Sequence, residues 1–276
     1  VNSALVNVGI SSIAVSWNTN SNPSYTDYEV QYTTSSNFST YTSSIINNLA
    51  FGSATISGLP DGTSHHIRVR SLNENALASP YDAPLTTSTR YAPGTRVWSA
   101  GSSGNASVAG NWTPQQVPVT GDNIFFNGTS GQTCFWNLAD ITVGSFTINS
   151  GFTGIISLST HVRLSGDLTR NAGHLLDFQP FIFVGTSTQK VGGVNGSFNS
   201  LEIQSSSDVM AVSSLTLHTY NQTSGLFRAG NFAHAMTGNW NQTGGAFLAE
   251  TSSITFYGGQ DVTAVSGNGL NNFIVD

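Results

Sequence analysis

The chain has 276 residues, and only 8% of them are Asp, Glu, Lys or Arg, against roughly a quarter in an average domain. Ser, Thr, Asn and Gly fill the places charges normally take, which marks a secreted, β-rich surface, and the formal charge of −6 comes from dispersed carboxylates. Lys190 is the sole lysine and Arg68, Arg70, Arg90, Arg96, Arg163, Arg170 and Arg228 are scattered singly, so no basic patch exists to neutralise phosphates and nucleic-acid binding is excluded; nothing reads as a membrane span.

Residues 1–90 alternate polar and apolar side chains over short runs: Ser12-Ile13-Ala14-Val15-Ser16-Trp17, Tyr28-Glu29-Val30-Gln31-Tyr32, and His66-Ile67-Arg68-Val69-Arg70. A period of two at this spacing predicts an antiparallel sandwich. Trp17, the Tyr28–Tyr32 run, Ala54-Thr55-Ile56-Ser57-Gly58-Leu59 before Pro60-Asp61-Gly62-Thr63, and Ile67 to Asn73 together resemble a fibronectin type III domain. That family usually has a tyrosine six residues after the leucine at Leu59, where this chain has His65. Either the imidazole donates the corner hydrogen bond or the turn is held another way. The loop Asn73–Pro80 carries no Arg-Gly-Asp, so the resemblance implies no integrin binding. Asp27 and Glu29 share one strand face, which predicts the wet side of the sandwich.

Tyr91-Ala92-Pro93-Gly94-Thr95 predicts a linker. Beyond it come Val97-Trp98-Ser99, Gly110-Asn111-Trp112-Thr113, Gly121-Asp122-Asn123-Ile124-Phe125-Phe126-Asn127, and Ile141 to Gly154. These segments, and the texture they begin, resemble the β-solenoid regions of very large bacterial surface proteins. Strand-length pieces such as Ile155-Ile156-Ser157-Leu158, Ser214-Leu215-Thr216-Leu217 and Ser253-Ile254-Thr255-Phe256 lie between Gly, Asn and Ser. No 3.6-residue apolar period persists, which predicts almost no helix. Cys134 stands alone inside an apolar alternation and reads as a small buried hydrophobe. There is no initiator Met and no signal peptide, so the chain reads as a processed product or an excised piece.

Two echoes run through the second region. Tyr220-Asn221-Gln222-Thr223-Ser224-Gly225-Leu226-Phe227 returns as Trp240-Asn241-Gln242-Thr243-Gly244-Gly245-Ala246-Phe247, twenty residues on. Phe198–Ile203 returns as Leu270–Val275, seventy-two residues on, and Phe183 to Val191 corresponds to Phe256 to Val262 with a slip of one. A twenty-residue period predicts coils of about that length stacked about 4.8 Å apart, some seven or eight of them. The last segment, Leu270–Asp276, is strand-like and lacks a polar capping turn, which predicts strand addition from further chain or another copy.

The search for chemistry turns up little that converges. No Gly-Lys-Ser/Thr and no Gly-x-Ser-x-Gly occurs, and Gly192-Gly193-Val194-Asn195-Gly196 reads as a turn. Asp167 and Asp177, with Arg170 and His174 between them, are the nearest approach to the carboxylate pair of a polysaccharide-cleaving β-helix. His174, His218 and His234 lack helical metal-site spacing, and Gly121-Asp122-Asn123 reads as an Asp-capped turn rather than a calcium loop. Trp98, Trp112, Trp136 and Trp240 form a sugar-stacking platform only if exposed, and their alternating context predicts burial.

The expectation is therefore an all-β chain: an immunoglobulin-like (fibronectin type III) sandwich over 1–90, a linker over 91–96, and a right-handed parallel β-helix or solenoid over 97–276. The expected role is an extracellular stalk, filament subunit or adhesin segment, secreted or at the cell surface, with no catalytic, cofactor or metal residues. The expected partners are other copies or further domains through the open solenoid end, and surface glycans; a polysaccharide-binding or polysaccharide-degrading β-helix is the alternative.

Overall fold

A computed structural model describes residues 1–19, 21–46, 52–259, 261–264 and 273–275, which fall into two compact units, Val1–Ala92 and Pro93–Asp276. The boundary lies inside the expected linker, whose last two residues, Thr95 and Arg96, already belong to the strand Thr95–Trp98.

The first unit is an antiparallel sandwich of β1 (Ser3–Val8), β2 (Ser12–Trp17), β3 (Asp27–Thr33), β4 (Thr42–Ile46), β5 (Ser53–Ser57), β6 (Ser64–Leu72) and β7 (Leu85–Ser88). One sheet runs β1-β2-β5 and the other β4-β3-β6-β7. Alternation places Ile13, Val15 and Trp17 of β2 against Tyr28, Val30, Ile67 and Val69 of the facing sheet, with Ile56 and Leu59 closing the core. The outer face of β3 is drier than its pattern predicts. Phe38 and Tyr81 fold over it, each ring centroid 4.0 Å from the Arg68 guanidinium, and Glu29 is only 8% exposed. The corner turn is held without His65. Thr89 Oγ1 donates to the Pro60 carbonyl at 2.6 Å and accepts the Thr63 N–H at 3.0 Å, while the buried His65 ring has a partner on neither nitrogen.

The second unit is a parallel β-solenoid of about seven turns. Its first column stacks Thr95–Trp98, Asn123–Phe126, Phe146–Ile148, Leu168–Arg170, Gln189–Gly192, Asp208–Ala211, Leu226–Arg228 and Ala246–Leu248. A second column holds Gly104–Asn105, Cys134–Trp136, Ile155–Leu158 and His174–Leu176, and a third begins Thr142–Val143, Val162–Leu164, Phe181–Phe183. The third then widens into two seven-residue strands, Ser197–Ile203 and Thr216–Gln222. The first half of the latter carries Ala233–Met236, Ser253–Phe256 and Phe273–Val275, and its second half carries Trp240–Gln242 and Val262–Thr263. The turn shortens along the unit, from 28 residues between the paired Val97 and Phe125 to 22 between Phe125 and Thr147 and 18 between Met210 and Arg228. Among the described residues the only helical piece is a 3₁₀ turn, Ala109–Asn111. Trp112–Thr113 pairs antiparallel with Thr95–Trp98 and covers that edge of the first column.

Inward-facing aromatics and aliphatics from every turn merge into one core, in which Phe126, Phe146, Phe181 and Phe198 follow one another at centroid distances of 5.4 to 5.9 Å. Corner polar groups stitch the turns. Buried Gln189 Nε2 donates to the Leu164 and Gly166 carbonyls, Ser205 Oγ to Gly185 O, and Ser130 Oγ to Ala100 O. Outside the coil, Arg228 reaches Asp208 at 2.7 Å and Glu250 at 3.6 Å.

The twenty-residue echo is literal stacking: Tyr220, Asn221 and Gln222 pair with Trp240, Asn241 and Gln242. Its glycines recur because Gly225 and Gly245 both sit at φ +70°, and a Cβ on Gly245 would lie 2.5 Å from the Gly225 carbonyl. The seventy-two-residue echo is different. Leu201–Ile203 lies in the third column, but Phe273–Val275 stacks on Ile254–Phe256 in the line of Phe198 and Leu217. Val191 lies in the first column and its counterpart Val262 in the line of Trp240. Each member is displaced by one strand, so this echo repeats a strand and its turn rather than a whole coil. Gln260, Leu270–Asn272 and Asp276, on which part of that echo and the expected open end fall, lie outside the described residues.

A candidate polar cleft at a seam of the solenoid

The second column stops at His174–Leu176, whose residues pair backward with Ile155–Ser157. In the next turn the chain runs straight through as Ser197–Ile203, pairing Leu201–Ile203 with Phe181–Phe183 and carrying Ser197 and Phe198 on toward Thr216 and Leu217. Among the described residues no strand pairing joins 197–199 to 174–176. Side chains bridge the seam instead. Arg170 Nη1 donates to the Ser197 carbonyl and Nη2 to the Gly173 carbonyl at 3.2 Å. The Asp177 carboxylate accepts the N–H of Asn199 at 2.5 Å. One side chain thus substitutes for a strand's donors and the other for its acceptors.

The gap leaves a cleft of about 340 Å³ lined by Arg170, Leu175, Asp177, Ser197, Phe198, Asn199, Thr216, His218 and Thr237. Arg170 registers over Ile148, an inward row of an otherwise apolar interior. Burial there holds its guanidinium below the usual range, partly offset by the opposite charge of Asp177. Burial raises the Asp177 carboxyl, opposed first by the Asn199 N–H and also by the charge of Arg170. Arg170 Nε is buried with no partner.

Of the four residues singled out in this stretch of sequence, the cleft takes two. Asp167 accepts the Lys190 N–H at 2.7 Å and His174 is exposed on its strand; neither lines the cleft. His218, weighed in the sequence only as a metal ligand, and Asn199 join it from later turns, and the outward phase of alternation is the sequence signal that places them there. Gly193, read as part of a turn, sits at φ +128°, where a Cβ would lie 2.2 Å from Arg170 O. His234 is buried, with Nδ1 accepting the Leu215 N–H and Nε2 donating to Ala229 O, and burial lowers its pKa. Asp122 is fully buried, accepting the N–H of Gly94 and of Val119, with Arg96 Nε 3.0 Å away. Cys134 lies in the core, where burial pushes its thiol up. Trp98, Trp112, Trp136 and Trp240 are at most 3% exposed, so they form no surface platform. Among the described residues no three His, Cys, Asp or Glu side chains converge on a metal-sized site.

Residues 2–88 match the family model of the fibronectin type III domain. The N-terminal unit is a fibronectin type III domain. Similar solved structures include one described as "Myokine structure", 17% identical over 33% of this chain and 94% of its own, with a TM-score of 0.29. The chicken CNTN1 FN1-FN3 domains are 22% identical over 32% of this chain and 31% of theirs, TM-score 0.29. A fibronectin type III domain from human KIAA0970 protein is 14% identical over 32% and 71%, TM-score 0.28. No curated protein matches the chain. The fibronectin type III domain has a second polar assembly of its own around Glu29. Burial raises the Glu29 pKa, and hydrogen bonds from Ser43, Tyr81, Arg70 and Gln31 outweigh it to bring the value to about 2.

Proposed function

We propose that the chain is a non-catalytic structural and interaction segment of a secreted or cell-surface protein, of the kind found in stalks, filaments or adhesins. The single observation that carries this reading is where the acidic groups are spent. Asp122, Asp167 and Asp177 accept backbone N–H groups from neighbouring turns, and Asp208 and Glu250 flank Arg228 along the outside of the coil. Carboxylates committed in this way hold coils together; a catalytic pair needs both members free to exchange protons with one substrate. The low charge and the Ser, Thr and Asn surface favour an extracellular setting. Interaction has support in β4, the edge of its sheet, where Ile45 is 56% exposed and among the described residues only β3 pairs with it.

Two measurements on the full chain test the reading. Incubation with a panel of polysaccharides releases no new reducing or unsaturated ends, and antibody against the chain labels intact native cells or the medium. Depolymerisation, or confinement of the antigen to the cell interior, contradicts it.

A further inference from the structure

The seam cleft has a chemistry that holding the coil does not use up. Arg170 has five N–H donors, of which two are bonded within the protein and the Nε–H is buried, which leaves two on Nη1 and Nη2, and Asp177 has acceptor positions beyond the Asn199 N–H it receives. Asn199, Thr216, His218 and Thr237 add hydroxyl, amide and imidazole groups along the same wall. The formal charges of Arg170 and Asp177 cancel, so neither an anion nor a cation gains a net field there. The volume, about 340 Å³, lies at the lower end of small-molecule sites, about 300–1,000 Å³. We infer that the cleft is a binding subsite for a neutral, hydroxyl-rich ligand, a single sugar residue of a glycan, whose hydroxyls accept from Arg170 and donate to Asp177. Hydroxyl groups suit this wall because each both donates and accepts, whereas a phosphate or sulfate would place its oxygens against the Asp177 carboxylate. The site goes beyond the structural role proposed above, which stands whether or not the cleft is occupied.

The test is calorimetric titration of the full chain with methyl glycosides of the common neutral hexoses, with sodium sulfate in parallel. Saturable binding of at least one glycoside and none of sulfate is expected. Arg170→Gln removes charged donors and weakens that binding about tenfold or more, but it also loosens the seam. The side chains of His218 and Thr216 line the cleft and among the described residues hold no turn of the coil, so His218→Ala and Thr216→Ala are expected to weaken binding several-fold at unchanged melting temperature. The proposal is overturned by the absence of saturable binding to every glycoside, by sulfate binding in their place, or by glycoside binding that neither His218→Ala nor Thr216→Ala alters.

Discussion

Gln222 is fully buried and ties two turns of the solenoid together. Its Oε1 accepts the Tyr220 hydroxyl at 2.8 Å, and its Nε2 donates to the carbonyls of Gly225 at 3.1 Å and Ala246 at 2.9 Å. Gln222→Leu keeps the volume and removes every one of these bonds. The Tyr220 hydroxyl, itself fully buried, loses its acceptor, which costs about 1–3 kcal/mol, and the Ala246 carbonyl loses a donor at about 1 kcal/mol. The apolar replacement returns part of this, leaving a net loss of about 2–3 kcal/mol. In a solenoid that loss is local, because each turn contacts only its neighbours. Hydrogen exchange of the full chain is therefore expected to lose protection in Ser197–Ile203, Trp240–Gln242 and Ala246–Leu248 and to keep it in Asn123–Phe126 and Phe146–Ile148. A change under about 0.5 kcal/mol, or one spread evenly over both groups of strands, refutes the reasoning.

Three further outcomes are expected. Glu29 has a folded pKa of about 2, below the ordinary value of about 4.3, so its contribution is present above that value and fades as pH falls from about 5 toward 2; Glu29→Gln flattens this acid limb in urea melts followed by Trp17 fluorescence, and an unchanged limb counts against the network. His234 is also depressed, by burial, so it favours the folded state above pH of about 6.5 and less so as pH falls below it. His234→Gln, which keeps one donor and one acceptor, reduces the loss of solenoid stability as pH falls below about 6.5, and a loss equal to wild type contradicts the assignment. His65 lines an open pocket of about 420 Å³ beside Gly58, Leu59 and Pro60, with both ring nitrogens buried and unpartnered; His65→Tyr removes one of these buried polar atoms and is expected to raise stability by about 0.5–2 kcal/mol, whereas destabilisation shows that the Thr89 bonds leave no room for the larger ring.

Much of this architecture could be read from the sequence because both folds write their periods directly. The Ile13, Val15, Trp17 alternation and the Tyr28–Tyr32 run specify a sandwich, and Asn221 and Asn241 announce the coil that pairs them. The seventy-two-residue echo joins residues that lie one strand apart in the coil, which spacing alone does not reveal. The dry face around Glu29 was hidden because its cover, Phe38 and Tyr81, comes from outside the strands. The cleft was half legible: Arg170 and Asp177 stood out by charge, but the break in the second column depends on one long strand replacing two, which composition does not record. His65 marked the altered corner, and Thr89, the residue that holds it, lies 26 positions from Thr63.

The central claim is that the second unit is a stacked coil in which the twenty-residue echo marks residues paired in register. Paired strand positions lie within the roughly 4.4–6.8 Å Cα separation that a disulfide spans. The most direct measurement is oxidative crosslinking of the full chain with Asn221→Cys and Asn241→Cys, which pair in register, beside Glu202→Cys and Ile274→Cys, which match only in the longer echo. The first pair is expected to close an intramolecular disulfide in the folded protein and the second to stay reduced; a reduced first pair, or a crosslinked second, contradicts the account.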